Sequence, residues 1–172
     1  MEKYIPDIYA QSVFTINYDK LINRGIKCLL FDLDNTLALY NEKTPNKRVC
    51  ELFEELKAKG FKLILFSNSG KIRLKPFKET LDVDCCARAF KPRKDKFLIV
   101  LEEFGYTINE VAIIGDQIFT DILGGNRVGI TTILVNPIGK DFIVTIPNRI
   151  REKRLLKRLR DKNLFSKGRY YD

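Results

Sequence analysis

The sequence contains no histidine among its 172 residues. That absence removes Ser-His-Asp and Cys-His nucleophilic catalysis, together with every metal site that needs an imidazole. Cysteine is sparse and badly placed for metal or disulfide work. The four residues are Cys28, Cys50, Cys85 and Cys86; none forms a C-x-x-C pair, and two adjacent cysteines make a poor bridge and a poor zinc clip. Cys28 opens an apolar run, where a thiol serves as a small hydrophobe, and all four are read as reduced and structural. No apolar run approaches the roughly 18 to 20 residues that span a bilayer. Met1-Glu2-Lys3-Tyr4 leads into mixed sequence with no stretch resembling a secretory signal. The expectation is a cytoplasmic protein that can rest peripherally on the inner face of the membrane. Catalysis, if any, must come from carboxylates, Lys, Ser/Thr and a hard metal ion.

What remains is the composition of an ordinary soluble chain, 45% hydrophobic and 31% charged, long enough for one compact domain over residues 1–172. The net charge of +9 is unevenly placed. Ten basic residues between Arg149 and Arg169 face only Glu152 and Asp161, so the rest of the chain is nearly neutral. A basic tail on a neutral body is more informative than a uniformly basic chain.

The pattern alternates between strand and helix signals. Lys27–Phe31 is a short apolar run ending abruptly in acids, as a buried parallel strand does. Pro45–Lys59 carries Val49, Leu52, Phe53 and Leu56 as a helical stripe, with Gly60 as its C-terminal cap. Lys62–Phe66 is a second strand. A helix follows over Ile72–Leu81, with Pro76 expected to bend or shorten it. A short strand fits within Val83–Ala89, and Asp95–Phe104 is helical. Glu110–Gly115 reads as a strong strand, Ile118–Val128 as a helix and Gly129–Val135 as the last strand. Repeated β-α units of this size imply a Rossmann-like, doubly wound, mainly parallel sheet with helices on both faces. Residues 27–135 form the core in this reading, 1–26 pack on it as an accessory segment, and 148–169 form a basic C-terminal helix and tail.

In open α/β sheets the site lies beyond the carboxyl ends of the strands. Asp32-Leu33-Asp34-Asn35-Thr36, Ser67-Asn68, Lys91-Pro92, Asp116 and Asp121 all fall there. Asp32 and Asp34 can project side by side where a strand unwinds, and with Asp116 they offer the oxygen ligands that Mg²⁺ prefers. A carboxylate attacks phosphorus once a metal has drawn charge off the phosphate, and a second acid serves the leaving oxygen and then the water. Ser67 and Lys91 supply a hydroxyl and a positive charge to the transferring oxygens. Taken singly each is ordinary: Asp-x-Asp and Ser-Asn occur in turns, and Asp116 could cap a helix. Their joint occurrence in this order, each at a predicted strand end, carries the reading.

Phe31-Asp32-Leu33-Asp34-Asn35-Thr36-Leu37 resembles motif I of the haloacid dehalogenase-like (HAD) superfamily. Leu63–Asn68 resembles motif II, Phe90-Lys91-Pro92 motif III, and Gly115-Asp116-Gln117 through Asp121 motif IV. The resemblance implies Asp32 as nucleophile forming an aspartyl-phosphate, Asp34 as acid/base, and Ser67 and Lys91 as catalytic partners. Asn68 and Thr36 would meet the substrate phosphate. Mg²⁺ would be held by Asp32, the main-chain carbonyl of Asp34 and Asp116, with Asp121 supporting from nearby. An acid at position 34 is shared by the phosphatases of the superfamily and absent from its ATPases, which favours hydrolysis. Only 31 positions separate Thr36 from Ser67, and 23 separate Asn68 from Lys91, so no cap domain fits at either of the family's insertion points. An open site suits a large leaving group: a protein, a nucleic-acid end or a lipid headgroup.

More narrowly, the chain is similar to the YqeG-type phosphatases of bacteria, subfamily IIIA. The resemblance rests on Pro6-Asp7-x-Tyr9, Ser12-Val13-Phe14, Gly25-Ile26-Lys27 and Gly124-Gly125-Asn126. That group is related to mitochondrial phosphatases that convert phosphatidylglycerophosphate to phosphatidylglycerol, which makes this lipid the expected substrate. The tail, with Ile150, Leu155, Leu156 and Leu159 among its cations and Leu164-Phe165 as an apolar anchor, would lie on an anionic membrane. Three alternatives stand beside this: a solvated helix packing its leucines on the domain, a phosphatase of phosphoproteins or nucleic-acid ends, and a non-catalytic RNA- or ribosome-binding module using the tail and Tyr170-Tyr171.

Overall fold

A computed structural model describes residues 1–139 and 146–172, with 146–150 as helical backbone only. Six strands form one sheet: β1 (Ile8–Ala10), β2 (Cys28–Phe31), β3 (Lys62–Phe66), β4 (Asp84–Cys86), β5 (Val111–Gly115) and β6 (Thr131–Val135). Their order is β1-β6-β5-β2-β3-β4 and every neighbouring pair is parallel. The helices are α1 (Tyr18–Asn23), α2 (Lys47–Ala58), α3 (Lys71–Leu81), α4 (Asp95–Phe104), α5 (Leu123–Val128) and α6 (Ile146–Asp161).

Alternation along the strands makes both faces apolar. Leu29 and Phe31 of β2 point to one side, into a cluster with Phe53 and Leu56 of α2 and Leu74 and Phe77 of α3. Cys28 and Leu30 point to the other, where Phe97, Val100 and Leu101 of α4 pack. A strand covered on both faces needs a continuous apolar run, and all four residues of β2 are buried. Because β3 and β5 flank β2 on opposite sides, the chain reverses winding direction at β2, and the crevice opens at its carboxyl end. Among the described residues, only a loop and α2 stand between β2 and β3, and only α3 between β3 and β4; there is no cap.

The structure refines several expectations. The N-terminal accessory segment contributes an edge strand, β1, paired with β6. The expected helix over Ile118–Val128 is divided into a π-helical turn, Ile118–Ile122, and the short α5. The strand within Val83–Ala89 is three residues long, and α3 runs through Pro76 without ending there. The C-terminal segment folds back on the sheet: the main chains of Tyr9 and Tyr171 exchange hydrogen bonds of 2.8 and 2.9 Å, closing the outer edge of β1. Leu159 and Phe165 are buried beside Tyr9, Ile118, Ile122 and Leu134, with Leu155 and Leu156 packed against them. The leucines of the stripe expected to anchor the tail in a membrane are therefore spent on the domain, the Ile150 side chain lying outside the described residues, and of Leu164-Phe165 only Leu164 is exposed. Among the described residues no helix is long and apolar enough to cross a membrane.

Candidate active site

The loop after β2 begins with Asp32, whose main-chain N–H still donates to Ile114 at 2.9 Å, extending the β2–β5 ladder by one bond. Asp32 is 7% exposed and lies at the switch point. Asp116 follows β5 and Asp121 lies in the π-helical turn; both are buried. One carboxylate oxygen from each of Asp32, Asp116 and Asp121 falls within 4.8 Å of the others. The close approach of Asp121 explains Gly115: a Cβ there would sit 2.2 Å from the Asp121 Cγ.

Lys91 is fully engaged at this cluster. Its Nζ donates to Asp32 Oδ1 and Asp121 Oδ1, each at 2.6 Å, and to the Phe66 carbonyl at 2.9 Å. These three bonds use all three ammonium protons. The main chain of Lys91 is clasped by the Asn68 side chain, which accepts from Lys91 N at 2.7 Å and donates to Lys91 O at 3.2 Å. The Lys91–Pro92 peptide bond is cis. Ser67 is buried at the end of β3, and its hydroxyl accepts from Ser69 N at 3.2 Å. Thr36 Oγ lies 3.2 Å from Asp116 Oδ1 and 3.4 Å from Asp32 Oδ2, bridging two of the acids.

Three buried carboxylates against one ammonium leave an excess of negative charge. Burial pushes the Asp32 carboxyl up, Lys91 draws it back, and the Asp121 charge adds to the rise. Asp116 is held well above the carboxylate range by burial, then by Asp32 and Asp121. Burial works against the Lys91 charge, but Asp121 and Asp32 outweigh it and hold this lysine above the ordinary value. Burial dominates the rise at both acids, and the surrounding carboxylates the rise at Lys91; an oxygen-bound divalent cation would offset the negative charge of the group.

Asp34 stands apart from this cluster by its side chain. Arg73 Nε and Nη2 donate to its Oδ1 at 3.0 and 2.9 Å, and the Ser69 hydroxyl donates to Oδ2 at 2.7 Å. Arg73 in turn donates to the carbonyls of Leu39, at 3.0 Å, and Glu42, and lies over the Phe77 ring. The sequence reading missed both Ser69 and Arg73. Arg73 stands between Lys71 and Lys75 in a run of basic residues, which hides it. The available signal was spacing: Ser69 and Arg73 are four apart, one helical turn, behind the strand end that carries Ser67.

A family model described as haloacid dehalogenase-like hydrolase matches residues 37–129, more than half of the chain. The protein belongs to the haloacid dehalogenase-like hydrolases. It is 37% identical over 160 residues to a Bacillus subtilis protein described as "Probable phosphatase YqeG", covering 92% of this chain and 93% of that one. It is 30% identical over 177 residues to the Arabidopsis thaliana phosphatidylglycerophosphate phosphatase 1, covering 93% of this chain but only 49% of the plant protein. Among solved structures, the cobalt-bound deoxy-D-mannose-octulosonate 8-phosphate phosphatase of Haemophilus influenzae shares the fold. Its TM-score is 0.55 at 15% identity, over 81% of this chain and 94% of that one.

Proposed function

We propose that the protein is a Mg²⁺-dependent phosphatase that hydrolyses a phosphomonoester through an aspartyl-phosphate on Asp32, with phosphatidylglycerophosphate as its substrate. The observation that carries the reading is the buried group of Asp32, Asp116 and Asp121 braced by Lys91 at the switch point of the sheet. Asp32, Asp116 and the main-chain carbonyl of Asp34 would hold Mg²⁺, with Asp121 behind them. The metal would withdraw charge from the phosphate oxygens.

A carboxylate oxygen of Asp32 attacks phosphorus as the bond to the leaving oxygen breaks, and Asp34 gives that oxygen its proton. In the second half, water attacks the aspartyl-phosphate, Asp34 takes the proton from the water, and the Asp32–phosphorus linkage breaks to release inorganic phosphate. Ser67 and Lys91 bear on the phosphoryl oxygens. Asn68 secures the Lys91 main chain and Thr36 ties Asp32 to Asp116.

The lipid substrate is favoured by the named activity of the plant relative and by the uncapped mouth, which admits a headgroup still attached to its bilayer. A phosphoprotein or nucleic-acid end would pass the same mouth. The exposed cations of α6 would add attraction to anionic lipid, each contributing about 1 kcal/mol near such a surface, and the same charges would serve a nucleic acid. A cytoplasmic protein working peripherally at the membrane fits this reading.

Phosphate release from phosphatidylglycerophosphate in mixed micelles and from a soluble aryl phosphate tests it. Both are expected to require Mg²⁺, to stop with EDTA, and to fall at least about 10³-fold in Asp32→Asn. Release from the aryl ester alone keeps the chemistry and rejects the lipid. Release from neither leaves a binding module on this fold.

A further inference from the structure

The edge of the sheet that carries the site also displays large apolar side chains to solvent. Ile72, in the first turn of α3, is 93% exposed; Phe90, immediately before Lys91, is 57% exposed; Ile138, after β6, is 51% exposed. Each belongs to a segment leaving the carboxyl end of a different parallel strand, so all three belong to the edge where the site opens. Arg88 N–H donates to Ser69 O at 2.9 Å, tying the segments of Phe90 and Ile72, and Ile138 N–H donates at 2.9 Å to Asn35 O in the loop after β2. Phe90 holds a φ of 53°, a left-handed backbone that a bulky residue rarely adopts. Such strain persists where it serves a purpose.

The cations beside them are uncommitted. Lys71, Arg88 and Lys94 are exposed in the same segments and, among the described residues, make no ion pair. Single exposed apolar residues are ordinary. Three interleaved with free cations around a catalytic mouth have the makeup of an interfacial membrane-binding surface, in which apolar side chains enter the acyl boundary and cations meet the headgroups. Among the described residues, the leucines of α6 do not offer that apolar half, because Leu155, Leu156 and Leu159 are packed on the domain.

We infer that the rim formed by Ile72, Phe90 and Ile138 with Lys71, Arg88 and Lys94 docks the catalytic mouth face-down on an anionic phospholipid surface. This rests on the lipid reading of the substrate. It assigns membrane contact to the rim of the site, and leaves α6 only long-range attraction.

The sequence has no tryptophan, so one introduced indole reports its own surroundings. Ile72→Trp and Ile138→Trp place it on the rim. Ile108→Trp, at a 42% exposed position just ahead of β5, places it at the opposite edge. With phosphatidylcholine vesicles containing phosphatidylglycerol, rim indoles are expected to shift to the blue and be quenched by brominated acyl chains. The shift should be absent with phosphatidylcholine alone, and the Ile108→Trp variant should stay unshifted throughout. Ile72→Ser with Ile138→Ser should lower phosphate release from phosphatidylglycerophosphate in vesicles about tenfold and leave aryl phosphate hydrolysis unchanged. Co-sedimentation with vesicles while the rim indoles remain in water would overturn the inference and assign binding to another face. No co-sedimentation would overturn it too. A blue shift that grows with protein concentration without lipid would replace the membrane with a second copy of the chain. The indole readout involves no catalysis, so its failure is separate from a failure of aryl phosphate hydrolysis, which would break the phosphatase reading.

Discussion

The carboxyl ends of β2 and β5, and the outer edge of the sheet at β1, are separated by a single strand yet bury opposite things. The first buries Asp32, Asp116, Asp121 and Lys91, with more negative charge than the lysine balances. The second buries Tyr9, Leu134, Leu159 and Phe165, with Tyr9 and Phe165 rings 5.3 Å apart. Buried charge costs folding energy unless it is matched, whereas buried apolar area supplies it. The edge therefore stabilises a fold whose centre is kept under electrostatic tension for chemistry. One element serves both regions: in the π-helical turn, Ile118 and Ile122 pack into the edge cluster while Asp121 between them reaches Lys91.

The largest expected effect tests the tension directly. Lys91→Met removes the only buried cation of the described site and leaves Asp32 and Asp121 without it. Stability in EDTA should fall by about 3–5 kcal/mol, and kcat by about 10²- to 10³-fold. Asp116→Asn removes an acid whose charged form burial and its acidic neighbours oppose. It should abolish activity yet raise stability in EDTA by about 1 kcal/mol. Urea denaturation near neutral pH reads both. If the two substitutions shift stability in the same direction, the centre is not under the tension described.

A somewhat smaller effect belongs to the edge. Leu159 is fully buried, and Leu159→Ala should cost about 2–4 kcal/mol from lost burial and the cavity left behind. The kcat of the folded fraction should be unchanged, since no catalytic group moves. A parallel loss of kcat would show instead that the Ile118–Ile122 turn transmits packing at the edge to Asp121. The contrast would then become a coupling.

These regions also differ in how far they could be read from the sequence. The centre was legible because strand ends there are abrupt: four buried apolar residues in β2, then Asp32. Asp32, Asp116, Asp121 and Lys91 meet there, while the Asp34 side chain turns to Ser69 and Arg73. The edge was not legible. β1 is only three residues long, and its pairing with β6 spans more than a hundred positions of sequence, which no local pattern encodes. The return of Tyr171 to Tyr9 is equally non-local. The basic helix was visible, but which of its leucines faced inward was decided by the turn beneath it. The helix over Ile118–Val128 was read as uniform because periodicity does not separate a π-helical turn from the α-helix that follows. Arg73 was missed for a related reason: its partner Asp34 lies 39 positions away.

The smallest expected effect concerns that missed residue, at the border between the buried centre and solvent. Arg73 holds one oxygen of Asp34 while Ser69 holds the other, so the carboxylate has little freedom. The same guanidinium reaches the carbonyls of Leu39 and Glu42, and so also fixes the loop after β2. If Arg73 positions Asp34 for proton transfer, Arg73→Gln should lower kcat about 10- to 100-fold and leave KM nearly unchanged, because substrate binding is not what is lost. Arg73→Lys should recover only part of the rate, since an ammonium cannot present two donors to one carboxylate oxygen and still reach both carbonyls. An ester with a good leaving group, which needs no proton, sharpens the test. With it the defect in the first half-reaction should shrink, whereas a loss caused by a loosened loop would persist with every substrate.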